Sequence, residues 1–221
     1  MRRWIHDNSL SIALFGLFLS CLIAQSISGW LDYNADQNAH QRFEIGYTGY
    51  LTSGHFIESV FENWESEFLQ DGAYVLLTAF LVQRGSAESK DPDADEPVDA
   101  DPSQAQHDPN APWPVRRGGL WLALYKNSLF LACLVLFAAA FALHAVGGAR
   151  AYSEEQLEHG GQAVSMLEYL GTARFWFESF QNWQSEFLAV ATLVLLSIFL
   201  RQQGSPESKP VASPHHQTGN S

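Results

Sequence analysis

Two amides and two carboxylates recur with helical spacing at corresponding places in the two halves of the chain. Asn63 and Glu67 are four residues apart, as are Asn182 and Glu186, so each pair shares one face of a helix. A carboxylate inside a bilayer costs about 2.5–3.5 kcal/mol on insertion scales and tends to mark an ion or proton path. These four residues are the candidate functional polar stripe, and the alternative is that Glu67 and Glu186 face water.

Aromatic side chains on the same two segments form a second stripe. They are Phe61, Trp64 and Phe68 in the first half, and Phe180, Trp183 and Phe187 in the second. Because amphipathic aromatic rings concentrate where a bilayer meets water, we interpret these six residues as interfacial anchors. This interpretation favours a structural role for both segments.

Two histidines also occupy corresponding positions, His40 and His159, in loops that we predict to be external. A pair of imidazoles can sense pH or bind a metal. Neither histidine has a cysteine or a repeated carboxylate nearby, so the pattern predicts no complete metal site. A sensor of pH or metal that uses these two histidines is the second alternative function.

A polar motif, Gly-Ser-x-Glu-Ser-Lys, follows an apolar segment in each half. Its repeated residues are Gly85, Ser86, Glu88 and Lys90, and then Gly204, Ser205, Glu207 and Lys209. Glycine is favoured just beyond a helix C-terminus, and cations are favoured in the last turn. We predict that the motif caps helices at the cytoplasmic surface, although capping does not explain why Glu-Ser-Lys recurs.

Sequence motifs that would indicate an enzyme are missing. There is no Gly-rich phosphate loop, Cys-x-x-Cys pair, His-Glu-x-x-His motif or Gly-x-Ser-x-Gly elbow. The chain also has no basic patches interleaved with aromatic residues, which excludes a nucleic-acid partner. We therefore predict a non-enzymatic protein without a cofactor or metal.

The elements that position these residues follow from an internal repeat. Residues 8–90 correspond to residues 127–209 without a gap, at a constant offset of 119 positions. A repeat of this length predicts two copies of one structural unit. In each copy the chain is divided into apolar blocks separated by polar segments, a distribution typical of membrane proteins.

Four apolar blocks are candidate transmembrane helices: residues 9–28, 68–82, 129–146 and 187–200. The second and fourth are shorter than the roughly 20 residues that cross a bilayer, so helices starting near Phe56 and Phe175 are expected. The fold class is thus an all-α integral membrane protein of four transmembrane helices. Two tandem helical hairpins share one orientation, with interfacial helices outside.

Charge predicts the orientation and the linkers. Only Arg42, Arg150 and Arg174 of the 12 basic residues lie in the two hairpin loops, so both termini are expected to be cytoplasmic. We divide the chain into a first hairpin unit at 1–90, an acidic, Pro-rich disordered linker at 91–118, a second hairpin unit at 119–209 and a disordered tail at 210–221. Much of the net charge of −12 lies in that linker.

The motif Asn182-Trp183-Gln184-Ser185-Glu186-Phe187-Leu188, together with the Gly-Ser-x-Glu-Ser-Lys segment, resembles a family of small bacterial multi-pass membrane proteins described as a domain of unknown function. The resemblance covers nearly the whole chain and implies a location in the bacterial inner membrane. It carries no catalytic or binding residues. We expect a structural, lipid-interacting or partner-binding protein whose partners are the bilayer and either a second copy or another membrane protein. The alternative is a small transporter or channel that uses Glu67 and Glu186.

Overall fold

The computed structural model describes residues 2–219, and it is all-helical in that range. Met1, Asn220 and Ser221, at the outer ends of the predicted first unit and tail, lie outside the described residues. The α-helices are α1 (Arg2–Asp7), α2 (Ser9–Ala39), α3 (Tyr47–Tyr50), α4 (Gly54–Phe80), α5 (Trp113–Arg117), α6 (Gly119–Tyr125), α7 (Ser128–Glu158), α8 (Met166–Leu170) and α9 (Ala173–Phe199). The expected all-α class is confirmed.

The four long helices fall into two pairs of equal length. Helices α2 and α7 have 31 residues each, and α4 and α9 have 27. Their first residues, Ser9 and Ser128 or Gly54 and Ala173, are 119 positions apart in both pairs. At 1.5 Å per residue, 27 residues cover about 40 Å, which exceeds a hydrocarbon core of about 30 Å.

Three of these helices, α2, α7 and α9, are long and apolar enough to cross a membrane. Helix α4 is long enough but is not among the three. It carries five acidic side chains, which are Glu58, Glu62, Glu65, Glu67 and Asp71. By length and composition the three spans therefore indicate a multi-pass membrane protein, and α4 as a fourth span is a proposal taken up below.

Polar and apolar residues are distributed opposite to the pattern of a soluble protein. In α2 the buried side chains are Ser26, Asn34 and Gln37, whereas Leu10 and Phe15 are 70% and 68% exposed. Exposed apolar side chains cover much of α7 and α9 as well. Large contiguous apolar surface is unfavourable in water and suits lipid, so the bilayer is the consistent environment.

The described chain divides into two compact units, and each draws residues from both copies of the repeat. Unit 1 contains the residues up to Phe61 together with Leu143–Thr172. It includes α2, α3, α8, the start of α4 and the end of α7. Two aromatic side chains, Tyr50 and Tyr169, are its largest fully buried apolar residues.

Unit 2 contains Glu62–Ala142 and the residues from Ala173 onward. Its central side chains include Phe175, whose ring packs edge-on against Phe141 with centroids 5.2 Å apart. The predicted linker belongs to this unit and contains short 3-10 turns at Pro97–Asp99 and Pro102–Ala105, followed by α5. Within it, Val115 is buried.

Candidate functional site

Unit 1 buries three ionisable side chains close together: Glu58 of α4, His144 of α7 and Tyr169 of α8. His144 and Tyr169 are fully buried and Glu58 is 8% exposed. The Tyr169 hydroxyl donates a hydrogen bond to Glu58 Oε1 over 3.0 Å. A carboxylate oxygen of Glu58 lies within 4.8 Å of an imidazole nitrogen of His144. A carboxylate, an imidazole and a phenol at these distances can hold or relay a proton.

Adjacent glycines of α7 make room for this group. A Cβ on Gly147 would lie 2.5 Å from the backbone nitrogen of Glu58, and a Cβ on Gly148 would lie 2.4 Å from the ring of Tyr169. Any larger residue at either position would push the two neighbours away. Gly147 therefore allows the backbone of α4 to approach α7, and Gly148 leaves space for the ring of Tyr169 to pack against α7.

Local capping fixes the position of Tyr169. Ser165 caps α8 by accepting a hydrogen bond from the backbone N–H of Glu168, and the Glu168 carboxylate accepts from the backbone N–H of Ser165. This reciprocal pair satisfies two N–H groups at the helix start. The same hydrogen bonds hold the pKa of Glu168 below its usual value. Tyr169 is the residue after Glu168, so the capped first turn of α8 fixes its orientation.

The corresponding tyrosine of the first copy, Tyr50, also packs against a glycine but has a different hydrogen-bond partner. A Cβ on Gly29 would lie 2.3 Å from its hydroxyl oxygen, as expected for a ring packed on a glycine. Its hydroxyl lies 3.3 Å from His55 Nδ1. Burial, followed by the nearby Asp32 and Tyr33, raises the pKa of Tyr50. The repeated tyrosines thus meet an imidazole in one copy and a carboxylate in the other.

The predicted polar stripe, Asn63, Glu67, Asn182 and Glu186, lies in unit 2. Glu67 is exposed and Glu186 is half-buried, and the charges of Glu186 and Asp71 are close enough to act on Glu67. Asn182 Nδ2 donates to the backbone oxygen of Glu178 over 3.1 Å. The structure thus places the two carboxylates near each other.

The buried carboxylate of this segment is Glu65, which the sequence analysis did not single out. Glu65 is fully buried, and it accepts a hydrogen bond from Trp183 Nε1 over 3.1 Å. Its position in the second copy is taken by Gln184. Trp183 therefore has a polar contact in addition to the aromatic role predicted for it.

The predicted aromatic anchors differ in exposure. Phe180 and Phe187 are 55% and 41% exposed, whereas Phe61, Trp64 and Phe68 are half-buried. The ring of Trp183 packs edge-on against Phe180, with centroids 5.3 Å apart, and also contacts Trp176 and Phe137.

The loop histidines each bind their own helix end. His40 Nδ1 lies 2.9 Å from the backbone oxygen of Asp36, and His159 Nδ1 lies 2.8 Å from that of Glu155. Both side chains are exposed. Each imidazole thus lies at the last turn of a helix, on a carbonyl that also accepts a hydrogen bond from the backbone N–H of the same histidine.

The two predicted caps form one type of turn. Gly85 and Gly204 have φ angles of 83° and 84°, in the left-handed region that favours glycine. They lie five residues beyond the ends of α4 and α9, at Phe80 and Phe199. The glycines therefore shape the turn that follows each helix instead of standing directly at its end.

Hydrogen bonds account for the recurrence of the serine in Glu-Ser-Lys. Ser89 Oγ accepts from the backbone N–H of Gln83 over 2.9 Å, and Ser208 Oγ accepts from that of Gln202 over the same distance. Each serine side chain thus binds the backbone six residues earlier and closes the turn. Such local hydrogen bonds from serine to the backbone are common in turns. The motif is a turn-closing device in both copies.

The lysines of the two motifs have different environments. Lys209 is buried, at 1% exposure, and its Nζ donates to the backbone oxygens of Gly85, His215 and Gln217. Burial, and then the charge of Arg201, lowers its pKa. Lys90 instead forms a partly exposed ion pair with Asp99, 2.7 Å away.

Sequence reasoning missed three buried residues, Glu58, Glu65 and His144. One of them had a visible signal, because His144 is, apart from Cys133, the only ionisable side chain in the apolar block 129–146. An ionisable residue inside such a block is a functional candidate by default. The carboxylates lacked a comparable signal, since neither corresponds to a carboxylate in the other copy.

Comparison with known proteins identifies a family without assigning an activity. No curated protein and no solved structure matches the chain. A family model described as a domain of unknown function, DUF6766, matches residues 1–220, and the chain belongs to this family.

Proposed function

We propose that this chain is a non-enzymatic membrane protein of the bacterial inner membrane that contacts lipids or a membrane partner. It has four spans, with α4 as the fourth, and both termini in the cytoplasm. The observation that carries this proposal is the reversed distribution of residues, with apolar side chains exposed on α2 and polar ones buried.

The number of spans is tested by the location of the two termini. Four spans leave both termini on the same side, whereas three spans separate them. Reporter domains active only in the cytoplasm, fused in turn to each terminus, should both be active. Activity at one terminus alone would contradict α4 as a span.

The role of the aromatic anchors is tested at Trp64 and Trp183. Substituting both by Ala should lower the amount of membrane-inserted protein, because the rings anchor helices at the interface and Trp183 also holds Glu65. Trp113→Ala, in the linker, is the matched control and should leave insertion unchanged. Normal membrane levels of the double variant would count against the anchoring role.

Movement of protons or cations is a second candidate, which the buried group of Glu58, His144 and Tyr169 favours. Protein in liposomes that enclose a pH-sensitive dye should then conduct protons. His144→Gln should abolish the flux, while the double variant Glu67→Gln, Glu186→Gln tests the exposed carboxylates. Flux that neither variant alters, or no flux in the wild-type protein, would remove this candidate.

A further inference from the structure

Unit 2 contains an open cavity of about 400 Å³ at the end of α4, where the Gly-Ser-x-Glu-Ser-Lys turn folds back. Its walls are mainly apolar and include Leu77, Leu81, Val190 and Val194. The volume lies within the roughly 300–1,000 Å³ of small-molecule sites. No lysine or arginine lines it, so it offers nothing to neutralise an anion.

One carboxylate lines this cavity, that of Glu88. Its Oε2 accepts a hydrogen bond from the Tyr74 hydroxyl over 3.2 Å. Its Oε1 is buried and has no hydrogen-bond partner within residues 2–219. A buried acceptor of this kind normally finds a donor, and because Glu88 lines the cavity, a ligand bound there can supply one.

The electrostatic environment of Glu88 favours a cation. Burial, and then the negative charge of another carboxylate, Glu207, raises the pKa of Glu88. The basic side chains of the same turn are engaged elsewhere, Arg84 with Asp93 and Lys90 with Asp99. A cationic head would therefore reduce a repulsion that the protein does not offset itself.

The apolar walls decide which kind of cation fits. A hard metal ion needs about six oxygen ligands, and a site with one unpartnered oxygen among leucines and valines cannot provide them. A primary ammonium needs only donors directed at an acceptor, and an attached alkyl chain can fill the apolar space. Each methylene buried there strengthens binding roughly fourfold.

The second copy lacks this arrangement. The position corresponding to Tyr74 is Leu193, and Glu207 is exposed. Glu207 also does not line the cavity. Glu88 and Glu207 are therefore a matched pair: Glu88 lines the cavity, whereas Glu207 is exposed to solvent.

We propose that this cavity binds a single-chain amphiphile with a primary ammonium head, which donates to Glu88 Oε1 while its alkyl chain lies against α4 and α9. The inference rests on the proposed lipid-contacting function, because such a ligand reaches the cavity from the bilayer. Binding is one molecule per chain.

Dodecylamine is the probe, titrated into the full chain in an uncharged detergent and followed by native mass spectrometry. The wild-type protein should gain one adduct. Glu88→Gln should bind roughly ten- to hundredfold more weakly, since it loses a charge-assisted hydrogen bond. Glu207→Gln should retain the adduct, and dodecanol, which has the same chain and no charge, should bind at least about tenfold more weakly than dodecylamine.

Equal binding of dodecylamine to wild-type protein and Glu88→Gln, or equal binding of dodecanol, would overturn the proposal. So would a bound diacyl phospholipid that dodecylamine fails to displace. If Glu88→Gln elutes as an aggregate, Ala191→Phe keeps the carboxylate and fills the cavity, and it should lose the adduct. Loss of membrane insertion would refute the proposed function, whereas an inserted, folded protein that ignores dodecylamine refutes this site alone.

Discussion

The turn at residues 83–90 and the turn at residues 202–209 have the same backbone and different surroundings. Both contain a glycine with φ near 84° and a serine that accepts from a backbone N–H six residues earlier. In the first turn, Gly85 also donates to Thr218 and accepts from Lys209. The second glycine, Gly204, has open space around it.

This difference separates two levels of structure. The repeated residues determine the local conformation, because the serine and glycine act within six positions of each other. The larger contribution to stability comes instead from distant partners, which at each of these positions only one of the two copies has. Substitutions at corresponding positions should therefore have unequal effects, and four pairs test this from the largest expected effect to the smallest.

Lys209→Met should lower the free energy of unfolding by about 3 kcal/mol, because it removes several hydrogen bonds from a charged donor to buried carbonyls. Lys90→Met should cost less than about 1 kcal/mol, since it breaks a partly exposed ion pair. Unfolding in detergent micelles, followed by circular dichroism, measures both. Equal losses of unfolding free energy in the two variants would contradict the expected difference between Lys209 and Lys90.

Gly85→Ala should cost about 2 kcal/mol and Gly204→Ala about 1 kcal/mol. Both substitutions strain a left-handed backbone, but a Cβ at Gly85 would also lie 2.6 Å from the backbone oxygen of His215. The same unfolding assay compares them. A larger loss at Gly204 would show that the environment of Gly85 relaxes.

Tyr169→Phe should cost about 1.5 kcal/mol, because its hydroxyl donates to the buried carboxylate of Glu58. Tyr50→Phe should cost roughly half as much, since its hydroxyl meets His55 at the longer distance of 3.3 Å. Thermal midpoints of the two variants, measured side by side, give the difference. Indistinguishable midpoints would mean that the two tyrosines contribute equally.

Glu88 should give the smallest effect, a pH dependence. Its folded-state pKa lies above the usual 4.5, so the folded protein binds more protons than the unfolded one. The free energy of unfolding then falls as the pH rises from about 4.5 through the folded-state pKa. Glu88→Gln should remove this decline, and Glu207→Gln should reduce it partly. An unchanged decline in Glu88→Gln would assign it to another group.

Much of the fold could be predicted from the sequence because the relevant signals are local. Apolar blocks of suitable length predicted α2 and α7, and the shortness of the other two blocks predicted helices that begin near Phe56 and Phe175. The structure begins these helices at Gly54 and Ala173. Composition alone does not assign α4 as a span, because its carboxylates make the helix polar.

The candidate site was harder to predict because it depends on tertiary contacts. Helical spacing selected Glu67, but Glu65 is the residue buried against Trp183, which is 118 positions away. Tyr169 has a repeated counterpart in Tyr50, but its partner Glu58 has no acidic counterpart in the second copy. Periodicity assigns a residue to a helix face, whereas burial depends on which other helix covers that face.

The hydrogen bond from Lys209 to Gly85 has a consequence for biosynthesis. The acceptor precedes the donor by 124 residues. At about 5–20 residues per second, a ribosome needs roughly 6–25 s to make the intervening chain. During that interval the Gly85 carbonyl lacks this hydrogen bond, so the first turn reaches its final structure only after the second turn has been synthesised.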